Sequence, residues 1–126
     1  MTEAHELFSK TTTSAEFETA LENFRDVAET VVREHFKRNG YTFAVPNVEI
    51  ASKGKRYVKL IRTESNPATG ETQPGGSVHS FVEIATGSIF KPASFKTPAK
   101  HPRGCIYTSD HGRESMEPEG NIRYMR

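Results

Sequence analysis

Basic residues interleaved with aromatic ones are the feature of this sequence best suited to chemistry. One basic group spans residues 53–62, and a second spans residues 90–103. Lysine and arginine neutralise phosphates and release counterions, and an exposed aromatic ring can stack on an unpaired base. The two groups predict a surface for an anionic partner, either nucleic acid or a nucleoprotein. The candidate binding residues are Lys53, Lys55, Arg56, Lys59, Lys91, Phe95, Lys96, Lys100, His101 and Arg103.

The two basic groups form one surface only if folding brings their strands together. Strand alternation places Lys59 and Arg62 on opposite faces, so not every cation can converge on one site. The alternative interpretation is a solvated strand face, with lysines on edges where they oppose aggregation. Phe90 and Phe95 also fit the commoner role of phenylalanine, which is to fill the core.

Catalytic and metal chemistry find less support in the sequence. Cys105 lacks the local signature of a cysteine protease, and a Cys–His pair needs a contact in space. His101, Cys105, Asp110 and His111 are near one another in the chain, but structural zinc sites usually use paired short spacings. Gly75-Gly76 precedes a predicted strand, so it lacks the helix amides that hold phosphate. We therefore predict no catalytic residues, no metal and no cofactor.

Length and composition set the limits of the molecule. The 126 residues predict a single domain, residues 1–126, and a hydrophobic content of 34% predicts a modest core. The formal net charge is only +1, but residues 51–105 carry nine bases against three acids. No apolar run reaches the ~18–20 residues that cross a bilayer, so we expect no membrane partner. The single cysteine excludes an intramolecular disulfide and fits a reducing compartment.

One long amphipathic helix, residues 13–39, must position the chain that follows it. Thr13 and Glu16 fit a capping box at its start, and Gly40 fits a left-handed stop at its end. A coiled coil is the alternative, but large aromatic side chains suit packing on a sheet better. The apolar stripe, spaced by three and four residues, consists of Phe17, Leu21, Phe24, Ala28 and Val31.

Strand patterns follow the helix over residues 41–107 and predict an antiparallel meander of about four strands. Residues 92–103 contain three prolines and are expected to run as a basic, extended segment on the surface. Residues 1–12 are predicted to be a flexible arm, and residues 108–126 a C-terminal tail. The predicted fold class is α+β, with the helix packed on one face of the small sheet.

The segment Ser77–Gly104 resembles a group of small uncharacterised proteins of tailed bacteriophages. The resemblance is carried by the hairpin Val78–Lys91 and by the ASFK, PAK and RG motifs after it. The last six residues, NIRYMR, are similar to the C-terminal end of the same group. The resemblance implies a phage source and a place in the host cell cytoplasm or in the virion. It transfers no catalytic residue to this sequence.

These observations together predict a small non-enzymatic binding protein. Its basic hairpin is expected to dock on nucleic acid or on a nucleoprotein. The alternative is a protein–protein module, either an inhibitor of a host or defence protein or a minor structural protein of the virion. Self-association is left open, because prolines block one edge of the predicted sheet and not the other.

Overall fold

The structure is a computed structural model that describes the backbone of residues 2–124 and the side chains of residues 15–124. Helix α1 is assigned from Thr2 to Arg38, so it begins before Thr13, the predicted first residue. The capping box at Thr13 lies outside the described side chains. The predicted flexibility of residues 1–12 stays a prediction.

The end of α1 is set by Gly40. This residue adopts a left-handed φ of 68°, and the N–H of Tyr41 donates to the carbonyl oxygen of Phe36 at 2.9 Å. Glycine takes this conformation without a steric cost, which confirms the predicted stop. Within the described residues, no helix combines the length and the apolar character that crossing a membrane requires.

Five strands follow α1 and pair in sequence order as an antiparallel meander. They are β1 (Val45–Lys53), β2 (Tyr57–Ser65), β3 (Ser77–Glu83), β4 (Ser88–Pro92) and β5 (Pro98–Cys105). A single 3₁₀ turn, Arg113–Ser115, comes after the sheet. The predicted α+β fold class is confirmed, with five strands rather than about four.

The additional strand is β5, which contains Pro98 and Pro102. The prolines of residues 92–103 predicted an extended surface segment, because proline cannot donate a backbone hydrogen bond. β5 lies at the edge of the sheet, where one side of the strand needs no partner and proline is tolerated. Its pairing with β4 is irregular, with Phe90 opposite Pro102 and Pro92 opposite Pro98.

Helix α1 packs on one face of the sheet, which we call the inner face. Burial of apolar surface there stabilises the fold by roughly 25 cal/mol per Å². The opposite, outer face carries Tyr57, Lys59, Phe81 and Phe90, which alternation and register place side by side. The inner core consists of Phe17, Leu21, Phe24, Ala28, Val32, Phe36, Val48, Val58, Leu60, Val82 and Ile89.

The chain after β5 packs against the same core. Ile106 and Ile122 are buried, and Ile122 forms an isolated bridge with Met116. The ammonium of Lys91 donates to the carbonyl oxygen of Ile122 at 2.6 Å. The described part of the predicted tail is therefore an integral layer of the domain, and residues 125 and 126 lie outside the described residues.

Helix α1 also covers the free edge of β1. The carboxylate of Glu29 accepts the N–H of Val48 at 3.1 Å, and Arg25 donates to the Val48 carbonyl at 3.0 Å. Arg33 donates to the carbonyl of Pro46 at 2.9 Å. Glu29 also forms ion pairs with Arg25 and Arg33, which are four residues away on either side, and these pairs are turned toward the strand. An unpaired row of strand amides is thereby protected.

Candidate nucleic-acid interface

The β4–β5 hairpin is positively charged because its sequence contains no acid. Between Glu83 and Asp110 the chain has four lysines or arginines, one histidine and no carboxylate. A local excess of one sign produces a strong potential even in a protein whose net charge is near zero. The hairpin is therefore the part of the sheet most attractive to an anion.

The tip of this hairpin is a short loop braced by its own side chains. The N–H of Ala93 donates to the carbonyl of Thr97 at 2.9 Å, which closes the loop. The hydroxyls of Ser94 and Thr97 are 2.7 Å apart, and Ser94 Oγ also accepts the N–H groups of Lys96 and Thr97 at 3.3 and 3.2 Å. These bonds hold Phe95 and Lys96 at the apex, and the Phe95 residue is 62% exposed.

The hairpin tip curls across the outer face and reaches Lys59 on β2. The ammonium nitrogen of Lys59 lies 4.0 Å from the centroid of the Phe95 ring and 5.9 Å from that of Phe81. β3 separates β2 from β4, so direct strand pairing does not produce this contact. The curled tip thus brings Phe95 of the second basic group onto Lys59 of the first, and Lys96 is the next residue of the tip.

Other aromatic rings form a closed floor beneath this contact. Tyr57 packs edge-on against Phe81 and Phe90, with centroid distances of 6.2 and 5.8 Å. Phe81 and Phe90 are 3% and 7% exposed, so Phe90 has the core role that the sequence analysis left open. Phe95, by contrast, is exposed and does not fill the core.

Three of the predicted binding residues are engaged elsewhere. Lys53 pairs with Glu18 of α1 at 2.6 Å, and Arg56 pairs with Glu83 at 3.0 Å. The chain alternates so that Lys91 turns to the inner face, where it contacts the C-terminal segment. These three candidate residues therefore do not join the others on one surface, as the limit set by strand alternation allowed.

The remaining predicted residues divide between the two ends of the sheet. Lys55 is exposed in the β1–β2 turn, at the end opposite the hairpin tip. Lys100 and His101 are exposed on β5, in the same hairpin as the tip. Arg103 is half-buried, donates to the carbonyl of His101, and has its Nε without a hydrogen-bond partner among the described residues.

We call Lys59, Phe95, Lys96, Lys100 and His101 the hairpin patch. Among the described side chains, no carboxylate lies within ion-pair distance of its three lysines. Unpaired ammonium groups beside an exposed ring are suited to bind phosphates. Lys59, Phe95 and Lys96 are thus held at the hairpin tip, and Lys100 and His101 are exposed on the following strand of the same hairpin.

His101, Cys105, Asp110 and His111, which were considered as metal ligands, do not form a metal site. Among the described residues, no three His, Cys, Asp or Glu side chains are placed to hold an ion. Asp110 instead organises the turn after β5, accepting the Thr108 hydroxyl at 2.6 Å and the N–H of Glu114 at 3.0 Å. These bonds, that of Thr108 foremost, hold the pKa of the Asp110 carboxyl below its usual value. The Cys105 thiol contacts the carbonyl of Thr86 at 3.8 Å.

The sequence model of a family of unknown function (DUF7717) matches residues 5–125, which include all five strands. The chain belongs to this family. Searches of curated proteins and of solved structures each gave no match. A phage source for this DUF7717 protein therefore stays a prediction.

A second exposed aromatic group of the DUF7717 chain, which the strand pattern did not predict, lies next to the end of α1. The rings of Tyr41 and Phe43 are 5.7 Å apart, and Phe43 is also 5.7 Å from the buried Phe36. Phe43 is 66% exposed. Both residues were assigned to a strand, but β1 begins only at Val45, so they are presented on the connection between helix and sheet.

Proposed function

We propose that this protein binds nucleic acid through the hairpin patch and performs no catalysis. One observation carries the proposal: the acid-free hairpin brings the exposed ring of Phe95, the chain neighbour of Lys96, to within 4.0 Å of the Lys59 ammonium of another strand. Phosphate contacts made by such cations release counterions, which supplies most of the affinity of nonspecific binding. We further propose that the protein comes from a phage and acts in the host cytoplasm, where nucleic acid or a nucleoprotein is the partner.

Salt dependence of binding tests this proposal. Three phosphate contacts, from Lys59, Lys96 and Lys100, give a slope of log K against log salt of about −2 for single strands and −2.7 for duplex. Affinity should then fall about 20- to 40-fold between 50 and 200 mM salt. Fluorescence anisotropy of labelled oligonucleotides measures both quantities. Affinity that does not change with salt, or no binding at micromolar protein, contradicts the proposal.

Single lysine variants locate the contacts on the protein. Lys96→Ala and Lys100→Ala should each reduce the slope by about 0.7–0.9, since one phosphate contact is lost. Lys37→Ala is the matched control, because Lys37 is an exposed lysine on the last turn of α1, outside the hairpin patch. Equal slopes for all three variants would show that the hairpin patch is not the binding surface.

The exposed Tyr41–Phe43 pair favours a second candidate, a protein–protein module. Aromatic side chains are enriched at protein interfaces, and these two rings are not part of the hairpin patch. The partner would be a host or defence protein, another virion component or a second copy of this chain. Pull-down from a nuclease-treated lysate separates the candidates: a partner retained by wild type and lost with Phe43→Ala, but kept with Phe95→Ala, favours this function.

A further inference from the structure

The Phe95 ring has one face covered and one face free. The Lys59 ammonium lies over one face at 4.0 Å from the centroid. The residue is nevertheless 62% exposed, so the opposite face is open to solvent. A flat apolar face of this size is complementary to the π-face of a nucleobase.

The loop holds this ring in place before any ligand arrives. Ser94 and Thr97 fix the backbone on both sides of Phe95 through the hydrogen bonds described above. Binding to a ring that is already positioned costs less conformational entropy than binding to a mobile one. Lys59 behind the ring and Lys96, the next residue in the chain, supply two cations that can neutralise phosphates near a stacked base.

Duplex nucleic acid does not suit this arrangement. Bases in a duplex have both faces covered by their neighbours, so an exposed ring gains nothing from them unless the helix is opened. A phenyl ring makes no hydrogen bond to a base edge, and in the major groove it can contact only the methyl group of thymine. Stacking on an unpaired base requires only an open π-face, which every base has.

We infer that the hairpin patch selects single-stranded nucleic acid, with Phe95 stacking on one unpaired base and little preference for its identity. This inference rests on the proposed function and adds the class of ligand. DNA and RNA share the chemistry that is recognised, namely an unpaired base flanked by phosphodiesters. The experiment therefore includes both.

The absence of tryptophan from the chain permits a direct readout of stacking. Phe95→Trp places a unique fluorophore at the hairpin tip, and a base stacked on indole quenches its emission. We expect quenching by oligo(dT) and by oligo(rU), and none by a blunt duplex of equal length or by heparin. Phe43→Trp is the matched control, because Phe43 is also largely exposed but lies outside the hairpin patch.

Removal of the ring gives the energetic test. Phe95→Ala should weaken single-strand binding about 5- to 150-fold and leave the salt slope unchanged, since no cation is lost. Phe95→Leu keeps an apolar side chain but has no π-face, so its affinity for single strands should fall by nearly as much. Unchanged melting temperatures confirm that both variants fold.

The outcomes separate the inference from the proposed function. Equal affinity of wild type for single strand and duplex, or no loss with Phe95→Ala, overturns the inference and leaves a phosphate-binding surface. Quenching of the Phe43→Trp variant as strong as that of Phe95→Trp overturns it too. Absence of binding to every polymer overturns both. Quenching of Phe95→Trp by only one of oligo(dT) and oligo(rU) supports the inference and identifies the ligand as DNA or RNA.

Discussion

His79 should make the fold sensitive to mild acid. The residue is 4% exposed, its Nε2 lies 2.7 Å from the carbonyl oxygen of Gly120, and its Nδ1 lies 3.0 Å from the hydroxyl of Ser80. Burial, opposed by the hydrogen bond to Gly120 and assisted by the charges of Arg62 and Lys91, lowers the pKa of His79 from 6.5 to about 4. The ring is therefore neutral in the folded protein at neutral pH.

The pH range and the magnitude follow from the two pKa values. The unfolded chain takes up a proton on this ring near pH 6.5, whereas the folded protein does so only near pH 4. The stability contributed by the neutral ring is complete above pH 6.5 and is lost progressively as the pH falls toward 4. The neutral His79 ring contributes about 3 kcal/mol to the free energy of unfolding, and about 2 kcal/mol of this is lost by pH 5.

Urea unfolding from pH 7.5 to pH 4, followed by circular dichroism, measures this loss. His79→Gln removes the imidazole that titrates and keeps an N–H donor for the Gly120 carbonyl. As the pH decreases, the free energy of unfolding of this variant should therefore fall less than that of wild type. Other groups that titrate in this range, such as glutamates, cancel in the difference between the two proteins. His101→Gln, at an exposed position, should behave as wild type. Parallel profiles for wild type and His79→Gln would refute the reasoning.

Three further substitutions test the packing of the fold by urea unfolding. Gly120→Ala should lower the free energy of unfolding by about 2 kcal/mol or more, because φ is 98° and the new Cβ would lie 2.4 Å from Val32 of α1. Gly40→Ala, where no atom lies within 4 Å of the new Cβ, should lower it by about 1 kcal/mol. Equal losses in the two variants would contradict the steric argument. Glu29→Ala should lower the free energy of unfolding by about 1–2 kcal/mol, because the N–H of Val48 loses its acceptor. The uncovered strand edge should also increase self-association, which light scattering measures. An unchanged free energy of unfolding would show that the edge contact is dispensable. Leu60→Ala, at a fully buried position, should cost about 2–5 kcal/mol, and a loss below 1 kcal/mol would place this residue outside the core.

Helix α1 and the fold class were predictable because their signals are local. The spacing of Phe17, Leu21 and Phe24 reports a helical face whatever the helix packs on, and the stop at Gly40 needs only its own backbone. The strands were found for the same reason, since alternation is visible within a few residues. β5 was missed because its prolines argue against a strand unless its place at the edge is already known.

The composition of the hairpin patch depends on contacts that local patterns do not encode. Lys59 meets Phe95 only because the hairpin tip curls across β3, and nothing in either segment specifies that curl. Strict alternation along β3 would place His79 on the same face as Phe81. The register between β2 and β3 shifts at this point, however, and His79 packs against Phe24 of α1 with a centroid distance of 6.1 Å. An extra residue in a strand reverses the alternation beyond it, and the periodicity of the β3 sequence does not indicate where such a residue lies.

The contacts of Arg25, Glu29 and Arg33 with β1 have a consequence for synthesis of the chain. The helix precedes β1 in the sequence, so it leaves the ribosome before the strand whose edge it covers. Docking of the helix and protection of that edge are then one event, so β1 is covered as soon as it pairs into the nascent sheet. A circular permutant that moved the helix to the end of the chain would expose the edge while the sheet forms, and would aggregate during translation even though its finished fold contains the same contacts.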